Sequence, residues 1–292
     1  MKHKEGDFKN TNGIDIYYQC WLPEEEVKAV LLIVHGLAEH CGRYMNLVNY
    51  FVPKGYAVYG FDHQGHGRSG GDRLMVESFD DFTNALSIYH KMVNGWHRDK
   101  PLYLVGHSMG GGIAAYYLLD HQSAFKGAII LSPGFKPNIP RLTMIMGKIM
   151  GGILSKLTPK AGVWKVDPSG VSRDQDVVLD YVGDPLVYHG QMPMRLGVEL
   201  GRMMKHLQAV NRITLPIIIL HGEADSLVSP EGAQLFFDKV GSEDKTLKIY
   251  PGLYHEVFKE PEKDQVLGDI ETWLDRQQLE PEKGRVIKDI ET

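Results

Sequence analysis

The sequence predicts an α/β fold, a mostly parallel central sheet flanked by helices, with a mainly helical insertion. Three observations predict it. Continuous apolar runs recur at Ala29–Val34, Tyr56–Phe61, Leu102–Val105, Ala128–Leu131 and Pro216–Leu220, each the length of a strand buried on both faces. Helix-compatible segments lie between them, at about 43–53, 79–95, 111–121, 230–240 and 263–277, and such alternation marks a wound parallel sheet. The rhythm breaks over 134–212, where Pro137, Pro140, Pro159, Pro168, Pro185 and Pro193 interrupt a stretch without a buried-strand run.

The elements follow in order. Ile14 to Leu22 alternates partly and reads as an early antiparallel strand, entered by a turn at Asn12-Gly13. The apolar runs and helices then place the core in residues 1–134 and 213–279, with a lid at 135–212. Thr246–Tyr250 completes the sheet. Within the lid, residues 142–157 are apolar on most of the circumference, and methionines such as Met144, Met146 and Met150 stand among them. At the C-terminus, Glu260-Pro-Glu-Lys recurs as Glu280-Pro-Glu-Lys, each opening a thirteen-residue unit that ends Asp-Ile-Glu-Thr. The first copy reads as the last helix of the fold and 280–292 as a duplicated tail without a catalytic role.

Composition narrows the class. A net charge of −5 leaves no basic footprint for nucleic acid. Two cysteines, Cys20 and Cys41, cannot build a disulfide framework. Met1 to Phe8 lacks the apolar centre of a signal peptide, and no run reaches the ~18–20 apolar residues of a membrane span. The expectation is a cytoplasmic protein, free or peripherally attached to a membrane. Nothing in the sequence sets its oligomeric state.

Ligands of wound sheets bind beyond the carboxyl ends of the strands, so the residues there decide function. They are His35-Gly36-Leu37-Ala38-Glu39, Asp62 to Gly70, His107-Ser108-Met109, His221-Gly222-Glu223-Ala224-Asp225, and Tyr254-His255. Gly106-x-Ser108-x-Gly110 sits between a strand and a helix, the setting of a nucleophile elbow. A serine hydroxyl there needs a base to take its proton and a carboxylate to hold the base in one tautomer. In elbow folds the order is Ser, acid, His, and Ser108, Asp225 and His255 satisfy it at strand ends. His107, His121, His189 and His206, and Asp184 and Asp238, are worse placed. The oxyanion donors expected are the backbone N–H groups of Met109 and Leu37.

Gly65-His-Gly67-Arg-Ser-Gly70 matches a dinucleotide-binding spacing, but no helix start follows and no acidic residue ends a second strand. It reads as a tight loop. Neither H-E-x-x-H nor paired cysteines occur, so no metal and no cofactor are expected.

With these motifs in place the chain resembles the monoacylglycerol lipase and lysophospholipase-like branch of the serine hydrolases with the α/β-hydrolase fold. The resemblance rests on His35-Gly-x-x-Glu39-His40-x-x-Arg43-Tyr44, Phe61-Asp62-x-x-Gly65-His66-Gly67-x-Ser69-x-Gly71, Gly106-His107-Ser108-Met109-Gly110-Gly111, and His221-Gly-x-x-Asp225 with Tyr254-His255. It spans about residues 8 to 278. It implies a triad of Ser108, Asp225 and His255, oxyanion donors at Leu37 and Met109, and an amphipathic lid that touches membranes and admits a fatty chain. Segment 142–157 is then either a helix packed on the core or an interfacial helix, with Ile145 and Ile149 as candidate substrate contacts. Glu39, His40 and Arg43 either bind the glycerol end or brace the oxyanion loop, and Glu39 and Arg43 are carried as candidate substrate contacts. The expected reaction is hydrolysis of a monoacylglycerol, a lipid ester, through an acyl-serine intermediate. Lysophospholipase and general carboxylesterase are alternatives. A non-catalytic hydrolase-fold binding protein is the alternative of another class.

Overall fold

Apolar side chains along the strands alternate between two faces of one sheet, and each face carries its own layer of helices. The computed structural model describes residues 1–138 and 152–279, the side chains of His206 and Gln208 excepted. Ile145, Ile149, most of segment 142–157 and the tail 280–292 lie outside the described residues.

The strands are β1 Lys2–Lys9, β2 Asp15–Leu22, β3 Ala29–Val34, β4 Tyr56–Phe61, β5 Leu102–His107, β6 Gly127–Leu131, β7 Gly162–Trp164, β8 Met192–Pro193, β9 Ile217–Gly222 and β10 Lys245–Tyr250. Eight form one sheet in the order β1-β2-β4-β3-β5-β6-β9-β10. From β4 to β10 every neighbouring pair is parallel, and β1 and β2 are antiparallel additions at one edge. The helices are α1 Met45–Phe51, α2 Asp80–Trp96, α3 Met109–His121, α4 Gln175–Gly183, α5 Met194–His206, α6 Pro230–Lys239 and α7 Lys263–Leu279.

The period of two explains the continuous apolar runs. Val30, Leu32 and Val34 of β3 pack in the layer of α2 and α3, with Leu86 and Ile113. Ala29, Leu31 and Ile33 pack in the layer of α1 and α7, with Phe51 and Trp273. Both faces are covered, so both sets must be apolar.

β1 has no such signature. Of its eight residues only Phe8 is buried, and it lies at the sheet's edge, where charged side chains discourage pairing with other chains. Periodicity misses it for that reason. The turn into β2 is fixed by Asn10, whose Oδ1 accepts from the N–H groups of Asn12 and Ile14 at 3.0 Å each, and by Gly13 at φ 75°.

Between β6 and β9 the chain leaves the sheet. β7 and β8 pair as a small antiparallel ribbon, with α4 between them in the chain and α5 directly after β8. Residues 135–138 still run along the core: the Phe135 ring lies 4.6 Å from that of Phe236, and Asn138 N–H donates to Leu227 O. Among the described residues no helix is long and apolar enough to cross a membrane.

Candidate active site

Ser108 occupies the turn between β5 and α3 with φ 53° and ψ −119°, a backbone conformation that costs free energy and persists only where the surroundings impose it. The surroundings are the two flanking glycines. A Cβ on Gly106 would lie 2.6 Å from Gly110 O, and one on Gly110 would lie 2.0 Å from Val34 O. Only hydrogen fits at either position. The turn is further held by Ser108 N–H to Leu131 O at 3.0 Å and Gly134 N–H to Ser108 O at 2.9 Å.

Asp225 and His255 come together from the loops after β9 and β10. His255 Nδ1–H donates to Asp225 Oδ2 at 2.6 Å. His221 Nε2–H also reaches Asp225 Oδ2 at 3.0 Å, and Val228 O at 3.1 Å. The other oxygen, Oδ1, accepts from the N–H groups of Leu227 and Val228 at 2.9 Å each. Burial alone would raise the Asp225 pKa; the charge of His255 and the hydrogen bonds of both histidines hold it well below the usual carboxylate range. Burial likewise pushes the His255 pKa down, but the Asp225 charge and hydrogen bond prevail, and the net direction is up. The nitrogen left for chemistry is Nε2.

Ser108, Met109, Leu37 and His255 all line one cavity of about 1400 Å³. Its far walls come from the insertion, with Val163, Trp164, Leu200, Met203 and Met204. The Met109 N–H opens α3, where no intrahelical acceptor exists. The loop carrying Leu37 closes on the elbow, since a Cβ on Gly36 would lie 3.3 Å from Ser108 Cβ.

Glu39 and Arg43 are taken up by neighbours. Glu39 Oε1 accepts from Gly36 N–H at 2.7 Å, Tyr44 OH at 2.8 Å and His107 Nδ1–H at 3.2 Å. Arg43 Nη2 donates to both oxygens of Glu256 at 2.9 Å, and its Nε to Glu39 Oε2 at 3.3 Å. Glu39 lines the cavity; among the described residues that do so, Arg43 is absent. His40 braces the insertion instead of the core, with Nε2–H donating to Asp184 Oδ2 at 2.8 Å. Tyr188 N–H adds a bond to Ala38 O in the same loop.

Three neighbours of the site went unread in the sequence. His221 stands within a motif, but its bond to Asp225 depends on a turn. Glu256 and Lys259 follow His255 as charged residues that look solvent-facing, yet both are buried. His107 is not a spare base: burial lowers its pKa, and Glu39 binds its Nδ1–H. The segment 65–71 folds as a tight loop, with Gly65, Gly67 and Gly71 at positive φ, tied down by Arg68 N–H to Asp62 Oδ2 at 2.8 Å. Among the described residues no group of three His, Cys, Asp or Glu side chains is placed to hold a metal ion.

Known proteins resemble the chain over most of its length. The family model described as serine aminopeptidase, S33, matches residues 25–262. The monoacylglycerol lipase of Mycolicibacterium smegmatis is 36% identical over 275 residues, covering 92% of this chain and 96% of its own length. The monoglyceride lipase of Rattus norvegicus is 34% identical over 268 residues, covering 91% and 88%. Among solved structures, the monoacylglycerol lipase of Paleococcus ferrophilus superposes with a TM-score of 0.78 at 28% identity, over 95% of this chain and 100% of that one. A soluble variant of the Saccharomyces cerevisiae monoglyceride lipase, in complex with a substrate analogue, superposes with a TM-score of 0.81 at 25% identity, over 95% of each.

Proposed function

The chain belongs to the serine aminopeptidase S33 family and to its monoacylglycerol lipase branch, and from that premise we propose that it hydrolyses a monoacylglycerol to glycerol and a fatty acid. One observation carries the reading. Ser108 and His255 face the same large cavity, and the Nδ1 of His255 is already engaged by Asp225.

The steps follow from the geometry. His255 Nε2 takes the Ser108 hydroxyl proton as Oγ attacks the ester carbonyl carbon. The carbonyl oxygen becomes an oxyanion held by the Leu37 and Met109 N–H groups, where each donor contributes about 10²–10³ in rate. Collapse breaks the bond to glycerol, whose alkoxide takes the proton from His255. Water then gives a proton to His255 and attacks the acyl carbon, and Ser108 leaves with that proton as the fatty acid departs. Asp225 holds the imidazole in the tautomer with hydrogen on Nδ1 and stabilises the imidazolium formed twice in the cycle.

The cavity suits a long acyl chain. Its volume of about 1400 Å³ exceeds the ~300–1,000 Å³ of ordinary small-molecule sites, and Met192, Met203 and Met204 line it with side chains that adapt to flexible ligands. The described residues of the insertion, from 152 on, act as its lid. Ile153 and Leu157, 69% and 73% exposed, stand four residues apart in one helical run and so share a face, which supports reading them as the lid's contact with a lipid surface.

The test is replacement of Ser108 by Ala, with turnover of a panel of monoacylglycerols, lysophospholipids and short esters. We expect loss of turnover by several orders of magnitude with the fold intact, and preference for monoacylglycerols in the parent enzyme. Wild-type turnover in Ser108→Ala would overturn the assignment.

A further inference from the structure

Four charged side chains are buried together behind His255, and the reaction as derived above uses none of them. Arg43 lies in the 3₁₀ turn after the oxyanion loop, and Glu256 directly follows His255 in the other loop. The Arg43 side chain is 6% exposed and those of Glu39 and Glu256 are 3% exposed. Lys259 Nζ closes the group at 2.9 Å from Glu256 Oε2. The Tyr181 ring of α4 covers the guanidinium at 4.7 Å.

Taking such charges out of water costs more than their attraction commonly returns, so a buried ion network is weak evidence of stability. Its contacts point elsewhere. Through Glu39 the guanidinium reaches Gly36 N–H, one residue before the donor Leu37. Through Glu256 it reaches the residue bonded to the base. One planar fork therefore joins the two loops that must keep their spacing through both halves of the reaction.

We propose that Arg43 is a positioning residue for the hydrolysis, clamping the oxyanion loop to the His255 loop and cancelling the two carboxylates beside the imidazole. The inference rests on the assignment of His255 as the base. The charged and titratable groups around that ring are Asp225 and His221 from β9 and its loop, and His107 at the end of β5. Glu39, Arg43 and Tyr44 follow β3, Glu256 and Lys259 share the ring's own loop, and Tyr181 comes from α4. Glu256 and Glu39 both favour the imidazolium, and Arg43 and Lys259 are the cations paired with those carboxylates.

The experiment compares Arg43→Met, Glu256→Gln, the double variant and Arg43→Lys in kcat/KM against pH, with a short p-nitrophenyl ester and a monoacylglycerol. Arg43→Met leaves two carboxylates against Lys259 alone, so the acid limb moves up by about half a pH unit or more. Glu256→Gln leaves Arg43 in excess, so the limb moves down. The double variant returns the limb toward that of the parent. Arg43→Lys keeps the charge but not the fork: its limb stays in place while kcat falls about ten- to a hundredfold, with KM within about twofold. Limbs of Glu256→Gln and Arg43→Lys can be compared even if Arg43→Met does not fold. Limbs that stay put in all variants, or single variants that shift the same way, overturn the clamp. If Ser108→Ala is inactive and the limbs do not move, only the clamp fails; if Ser108→Ala remains active, the assignment of the site fails first.

Discussion

His255 Nδ1 lies 2.6 Å from Asp225 Oδ2, and that carboxylate accepts three further hydrogen bonds: His221 Nε2–H on the same oxygen, and the Leu227 and Val228 N–H groups on the other. The pair joins residues 30 positions apart. A carboxylate so fully bound stays ionised and cannot rotate away from the ring, so the imidazole presents one tautomer.

Asp225→Asn tests that tautomer. An amide can present its NH₂ to Nδ1 and leave hydrogen on Nε2, which then cannot accept the serine proton. We expect kcat to fall by about 10⁴ with the circular dichroism spectrum unchanged. A loss smaller than tenfold would remove Asp225 from the proposed triad.

The pH profile follows from the same pair. Base catalysis requires neutral His255, and Asp225 raises its pKa above the ordinary 6.5, so the acid limb of kcat/KM should lie above 6.5. The sign for stability is the reverse. The raised pKa contributes stability that is fully present below the unfolded value and is lost as pH rises through the folded one. A limb below 6.5 in a titration of kcat/KM would contradict the electrostatics of the pair.

Two glycines should behave oppositely. Gly110→Ala drives a methyl into Val34 O and should cost about 3 kcal/mol or more. Gly95 lies within α2 with nothing within 4 Å of an added Cβ, so Gly95→Ala should add about 0.5–1 kcal/mol. Urea unfolding of both variants measures the contrast. A neutral Gly110→Ala would mean that the elbow tolerates a side chain there.

The lid contact is tested with Ile153→Ser together with Leu157→Ser. Each exposed side chain would deliver about 1.5–3 kcal/mol on entering lipid, so the double variant should lose at least about tenfold in vesicle partitioning. Turnover of a short water-soluble ester should be unchanged. Equal sedimentation with vesicles of parent and variant would exclude these residues from any membrane contact.

The fold was legible because β3 to β6 and β9 are buried on both faces, which writes unbroken apolar runs into the chain. The candidate site was legible because a parallel sheet collects its strand ends at one edge, so Ser108, Asp225 and His255 could be chosen by position and order alone. Close approach also leaves a mark: Gly106 and Gly110 are glycine where a Cβ would meet backbone. Tertiary structure alone decided the partners of Glu39 and Arg43, and with them the burial of Glu256 and Lys259. Arg43 meets Glu256 across 213 residues, and a charge paired at that distance carries no period, spacing or cap by which the sequence can announce it. β1 needed the structure for a related reason, since an edge strand held by backbone hydrogen bonds has no obligation to be apolar. Patterns in the chain record burial against a regular element; pairings between loops exist only once the sheet has brought the loops together.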